Sequence, residues 1–174
     1  MSPRAERALL REAQAGSAEA LEELFRRFWT PAYRAAYFVV HDAGAAEDIA
    51  QEAFLSAVRS LERFDRRRPF GPWLNRIVVN RAIDHARAGA LRREVLGEWE
   101  GSSPPEPDPG EHDELVAALA TLPPDRRAVV VLRYVLGYTP GEIAKLLGLP
   151  RGTVNSRLRR ALDALAGALG EDAP

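Results

Sequence analysis

TPGEIAKLLGLPRGTVNSRLRR, Thr139 to Arg160, carries four arginines in its last ten residues, although the whole chain has a net charge of only −1. Thr139 can cap a helix and Pro140 suits its first turn. Ile143, Ala144 and Leu147 recur on one face of that helix. Gly148 permits a tight turn, Leu149 can plug it, and Pro150 suits the start of a second helix. Helix, short glycine turn, helix is the helix-turn-helix pattern.

At 100° per residue the second helix sorts its side chains. Val154, Leu158, Ala161, Leu162 and Leu165 gather on one side. Gly152, Thr153, Ser156, Arg159 and Arg160 point the other way, with Asn155 and Arg157 on the flanks. Short polar residues near the N-terminus let a backbone enter the major groove. Asn and Arg can then make paired hydrogen bonds to base edges, and neighbouring arginines can hold phosphates. An arginine-rich helix can also be a solvated surface. The preceding glycine turn and the single acidic residue on this face, Asp163, favour DNA binding.

The rest of the chain also reads as helical, so the expected fold class is all-α. After Ser17, a helix cap, Ala20, Leu21, Leu24, Phe25 and Phe28 recur at helical spacing, and Pro31 is expected to open a new segment. AAEDIAQEAFLSAVRSL follows the break at Asp42–Gly44, with Ile49, Ala53, Phe54, Ala57, Val58 and Leu61 as its stripe. Asp48, Gln51 and Glu52 lie off that stripe. After the loop RFDRRRPFG, WLNRIVVNRAIDHARA repeats the pattern through Trp73, Leu74, Ile77, Val78 and Ile83. AVVVLRYVLGY, 128–138, would suit a strand by its β-branched content. The start signal LPPD and the stop at Gly137 favour a helix.

Charge divides the chain in three. Residues 1–93 hold 16 Lys+Arg against 12 Asp+Glu, residues 94–114 hold none against 8, and residues 115–174 hold 8 against 5. The middle stretch, EVLGEWEGSSPPEPDPGEHDE, has four prolines and no apolar period, which is linker composition. Two small helical domains, 1–93 and 115–174, are therefore expected to flank an acidic linker at 94–114. Local fields, not net charge, then decide partners.

Composition narrows the function. The chain has 46% hydrophobic residues, enough for a core, and no cysteine. Its three histidines, His41, His85 and His112, lack ligand spacing, so neither a metal nor another cofactor is expected. The carboxylates pair with no clustered His or glycine-rich phosphate loop, which argues against an enzyme. The polar start and the lack of a long apolar run point to a soluble, cytoplasmic protein without membrane insertion.

TPGEIAKLLGLPRGTVNSRLRRALDAL, with LPPDRRAVVVLRYVLGY before it, resembles region 4 of the extracytoplasmic-function (ECF) sigma factors, part of the sigma-70 family of bacterial RNA polymerase. AAEDIAQEAFLSAVRSLERFD and PFGPWLNRIVVNRAIDHAR resemble region 2 of the same family. At 16–21 the sequence GSAEAL departs from the family's frequent Gly-Asp, but Ser17 caps equally well. The resemblance implies no catalysis by the chain. It implies binding to core RNA polymerase, at its clamp helices and flap, and to promoter DNA, duplex at −35 and single-stranded at −10. An anti-sigma factor is a further implied partner. Carried onto this sequence, the −35 contacts are Asn155, Ser156, Arg159 and Arg160, with Arg151 and Thr153 beside phosphates. The −10 contacts are Arg66, Arg67, Arg68, Phe70, Arg76, Asn80, Asp84 and Arg87. The polymerase-facing residues are Asp48, Gln51 and Glu52. The rival reading is a dimeric DNA-binding regulator with an N-terminal sensor domain, which would bind a symmetric site without polymerase.

Overall fold

A computed structural model describes residues 2–96 and 113–170, and among these every regular element is helical. The order is α1 (Pro3–Gln14), α2 (Ala18–Val40), α3 (Ala43–Ser60), α4 (Phe70–Leu96), α5 (Asp113–Ala120), α6 (Pro124–Val130), α7 (Pro140–Leu147) and α8 (Arg151–Gly170). A 3-10 turn at Leu61–Arg63 follows α3, and a π turn at Val131–Val135 extends α6. The β-branched run 128–138 is thus helical through Val135, and Gly137 stops it at φ 74°. The expected linker lies outside the described residues over 97–112. Its first residues, 94–96, finish α4, and 113–114 begin α5. Among the described residues no helix is long and apolar enough to cross a membrane.

Local chemistry sets the boundaries. The Ser17 hydroxyl accepts from Ala20 N and the Asp42 carboxylate from Ala45 N, satisfying free donors at the starts of α2 and α3. Thr139 and Glu142 form a reciprocal capping box at the start of α7. Gly148 closes α7 at φ 67°, a left-handed conformation that favours glycine. Pro31 does not open a segment: α2 runs through it. A proline removes one backbone donor and crowds the preceding turn. Packing of α2 against α1, α3 and α4 holds the helix together regardless.

The two halves do not sit apart. A single apolar core runs from Leu10 and Leu74 through Val39, Leu119 and Leu132 to Ile143 and Val154. Helices α2 and α4 pack directly on α6, and α4 also packs on α7. Three polar links cross the seam. Asn75, buried in α4, donates to the Tyr138 hydroxyl at 2.9 Å. Arg87 pairs with Asp125 at 2.6 Å. Buried Arg127 donates to Leu119 O at 2.9 Å, Leu122 O at 2.9 Å and Ala120 O at 3.0 Å, and reaches across to Val39 O. It thereby serves the carbonyl ends of α5 and α2 together, where a cation complements the negative end of each helix dipole.

His41 ends α2 in a left-handed conformation, φ 57°, and is buried beside this guanidinium. Burial first, and the Arg127 charge second, push its pKa down from 6.5 to about 4, partly offset by a hydrogen bond to the Phe38 backbone. The unfolded chain therefore takes up the proton before the folded one. Stability from this site is intact above pH 6.5 and falls as the pH drops toward 4. At pH 5 the loss should be about 2 kcal/mol relative to pH 7. His41→Asn, which tolerates the same backbone, should flatten the pH 5–7 stability slope in urea melts. An unchanged slope would remove His41 as its source.

Candidate nucleic-acid interface

Helix α8 presents the second half of the helix-turn-helix. Val154, Leu158 and Ala161 are buried and seat it on α6 and α7, while Arg151, Asn155, Arg159 and Arg160 are exposed. Thr153 and Ser156 are half-buried, and the Ser156 hydroxyl donates to Thr153 O at 3.0 Å. Two details of the expected apolar faces change. Leu162, expected in the seam, is 41% exposed. In α7 it is Leu146, beside Ile143, that is buried, while Ala144 and Leu147 are half-buried. The short α7 must seal against α4 as well as α8, so its apolar face is wider than one stripe.

Helix α4 builds a second surface. Arg76, Asn80, Asp84 and Arg87, spaced by four, four and three, are all exposed and share one face. Opposite them Leu74, Val78, Val79 and Ala82 are fully buried. Arg66, Arg67 and Arg68 are exposed in the turn before α4. Arg67 forms a forked pair with Asp65, Nε donating to Oδ1 and Nη2 to Oδ2, each at 3.0 Å, which draws the carboxyl below its usual range.

Phe70 does not join this surface. It is 2% exposed and packs among Phe28, Phe64 and Trp73, edge-to-face against the last two. An aromatic ring at the first position of a helix is excluded from water when three other rings converge on it. Phe70 N donates to Glu6 Oε1 at 2.7 Å, so α1 supplies the N-terminal cap of α4.

The α4 and α8 surfaces approach each other at Asp125. Its Oδ1 lies 2.6 Å from Arg87 and 3.9 Å from Arg157. The Asp125 hydrogen bond raises the Arg87 pKa further. Sequence reading missed Asp125, Asn75, Tyr138 and Arg127. The lone Asn75 inside an apolar helical run was the visible signal.

Asp48, Gln51 and Glu52 are exposed on α3, as their spacing off the stripe requires. Glu52 pairs with Arg81 of α4 at 2.7 Å. Gln51 borders an apolar groove of about 300 Å³ between α2 and α3, lined also by Leu21, Phe25, Leu55 and Val58. Phe25 and Val58, read as core, are 43% and 45% exposed there, and Leu55 is 50% exposed.

Comparisons with known proteins cover both surfaces. The Sigma-70 region 2 family matches residues 24–92, and Sigma-70, region 4 matches residues 112–165. RNA polymerase sigma factor CarQ of Myxococcus xanthus is 34% identical over 162 residues, covering 90% of this chain and 92% of that protein. The chain belongs to the sigma-70 family, among its ECF members. ECF RNA polymerase sigma factor BldN of Streptomyces coelicolor is 32% identical over 95% of this chain, and SigE of Mycolicibacterium smegmatis is 38% identical over 80%. The chain spans 66% and 57% of the length of those two relatives. Among solved structures, CnrH in complex with the cytosolic domain of CnrY aligns over 97% of this chain and 99% of its own, with a TM-score of 0.74 and 28% identity. The Bartonella quintana sigma factor RpoE, solved with the anti-sigma factor NepR, shares the fold at a TM-score of 0.70 and 20% identity. Region 2 thus covers the α4 surface and region 4 the helix-turn-helix.

Proposed function

We propose that the chain is a promoter-specificity subunit: it binds core RNA polymerase in the cytoplasm and directs initiation at promoters bearing −35 and −10 elements. One observation carries this reading. A single chain presents a helix-turn-helix with a polar outer face and, on a separate helix, a polar stripe holding Arg76 and Arg87 beside an arginine turn. The first suits duplex DNA and the second an unpaired strand. Both are matched by sigma regions in the family's order.

In this reading Asn155, Ser156 and Arg159 face the bases of the −35 element, while Arg151, Thr153 and Arg160 sit against phosphates. Arg66, Arg68, Arg76, Asn80, Asp84 and Arg87 follow the −10 strand. Arg67 must exchange its Asp65 partner for phosphate, and Phe70 acts from the core by shaping the turn. Asp48, Gln51 and Glu52 face the clamp helices of the polymerase, and the region 4 half faces its flap. The chain itself performs no covalent step. Arg87 is paired with Asp125 while the halves are closed, so its use on DNA competes with that ion pair. An anti-sigma factor that favours the closed arrangement is the corresponding regulatory partner.

Run-off transcription with purified core polymerase on a promoter library tests the reading. Promoter-specific transcripts are expected only when the chain is added, and no stimulation of core would refute it. Two variants divide the labour within region 4. Arg160→Ala should weaken binding alike on all promoters and lower the salt slope by about one. Asn155→Ala should instead alter the preferred −35 sequence, since a paired amide contact discriminates by about 1–3 kcal/mol. Uniform loss from both would contradict the assignment.

A further inference from the structure

Helix α1, PRAERALLREAQ, places Arg4, Arg7 and Arg11 on one face, within about 60° of each other at 100° per residue. All three are exposed. With Ala8, Arg66 and Arg67 they line an open concavity of about 430 Å³. Five guanidinium groups thus surround one cleft. The nearest carboxylate in an ion pair there is Asp65, and it engages Arg67. Among the described residues no acidic group comes within ion-pair distance of Arg4, Arg7, Arg11 or Arg66.

The cleft is built on a rigid base. Leu10 and Ala13 bury the opposite face of α1. Gln14 Nε2 donates to Leu61 O at 2.8 Å and to Phe64 O at 2.9 Å, tying the end of α1 to the 3-10 turn. Glu6 accepts from Phe70 N through Oε1 and so ties the middle of α1 to the start of α4. These anchors bracket the turn at 65–69. Helix α1 and the turn therefore present their arginines as one unit.

We propose that this cleft is a further nucleic-acid contact: it grips backbone phosphates of the unpaired −10 strand where that strand passes the 66–68 turn beyond the N-terminal end of α4. This rests on the promoter-binding reading above. Forked guanidinium groups match phosphate geometry. The lining holds no aromatic ring on which a base could stack, so the contact is to backbone and indifferent to sequence. Continuity selects DNA over a free phosphate ligand. Arg66 and Arg67 belong to both the cleft and the −10 surface, and the α1 face prolongs that cationic track. A site for a small anion would be enclosed, whereas these groups stand open to solvent.

The test is the triple variant Arg4→Ala/Arg7→Ala/Arg11→Ala, assembled with core polymerase and measured on fork-junction DNA carrying an unpaired −10 strand. Alanine suits the helix and the removed groups are exposed, so the fold should persist by circular dichroism. Affinity should fall about tenfold at moderate salt, equally for all −10 sequences. The slope of log K against log salt should shrink by about two, as three lost single-strand phosphate contacts require. The corresponding triple lysine variant should recover most of the affinity, and core binding should be unchanged. Wild-type affinity and slope in the alanine variant would overturn the inference. So would a loss with no change in slope, or a loss confined to core binding. A wild-type chain that neither binds core nor supports transcription would instead defeat the underlying reading. Competition by inorganic phosphate at low concentration, with no effect of the variant on DNA, would also overturn the proposal.

Discussion

Arg127→Met should destabilise the protein by about 4 kcal/mol, because it strips donors from several buried carbonyls at once. The arginine is 8% exposed and serves the ends of α5 and α2 simultaneously. Methionine fills much of the same volume, so the effect isolates polar satisfaction from packing. Against a typical total of about 5–15 kcal/mol, such a loss is a large fraction of stability. Urea denaturation should show a lower midpoint. An early transition that separates the halves is expected too, because Val39 belongs to one half and Leu119 to the other. Arg127→Lys should fall between, since a single ammonium cannot reproduce a planar fork that spans two helix ends. His41 gives a second readout. Removing the neighbouring positive charge should raise its pKa above about 4, though burial remains the larger cause of its depression. A midpoint within error of wild type for Arg127→Met would show that the helix ends are satisfied without it.

The same residue marks the limit of what the sequence disclosed. Helical spacing, caps and glycine stops are local, and they were legible: Ser17, Thr139, Gly137 and Gly148 all act where the sequence placed them, whereas the break expected over Asp42–Gly44 shrinks to Asp42, which caps an α3 that already runs through Gly44. The exposed faces of α4 and α8 were legible for the same reason, since a helix of known phase dictates which residues share a side. Arg127 was not, because in sequence it is one of two adjacent arginines after a helix start. Only the convergence of α2 and α5 makes it a buried link. Phe70 failed for a related reason: besides Trp73 of its own helix, it is covered by Phe28 of α2 and by Phe64 after the 3-10 turn, which only the tertiary fold brings to it. Pro31 failed because tertiary packing outweighed a local preference. The closed seam through Asn75–Tyr138 and Asp125 depends on the relative placement of two halves, which no local pattern encodes. The exposure of Phe25 and Val58 is different again. Periodicity identified them as apolar and in phase, and the structure leaves that phase uncovered.

That uncovered phase leads to the second large effect. Leu55→Glu should weaken binding to core polymerase by at least about thirtyfold, or about 2 kcal/mol, the scale of a central apolar contact in an interface. Leu55 stands half in water beside Phe25, Val58 and Gln51, at an apolar groove whose rim carries Glu22. Asp48 and Glu52 flank it on the same helix. An apolar centre with a polar border is how a protein–protein interface is organised, and exposed apolar side chains in one patch carry a solvation cost that a partner removes. The polymerase-facing assignment of Asp48, Gln51 and Glu52 therefore predicts a hierarchy. Glutamate at 55 places a charge in the desolvated centre and should act strongly. Asp48→Asn and Glu52→Gln alter the rim and should change affinity by no more than about 1 kcal/mol, with a larger effect at low salt. Stability should account for only part of the loss, because glutamate is a good helix former and half of Leu55 already stands in water. Equilibrium titration of fluorescent chain with core polymerase distinguishes the outcomes. If Leu55→Glu binds like wild type while the rim variants fail, the interface is electrostatic and centred on the carboxylates. If all three bind like wild type, the polymerase docks elsewhere on region 2. The expected order, Leu55 far above Glu52 and Asp48, follows from the groove alone: Leu55 lines it beside Phe25 and Val58, whereas Asp48 and Glu52 are charged and stand outside its lining.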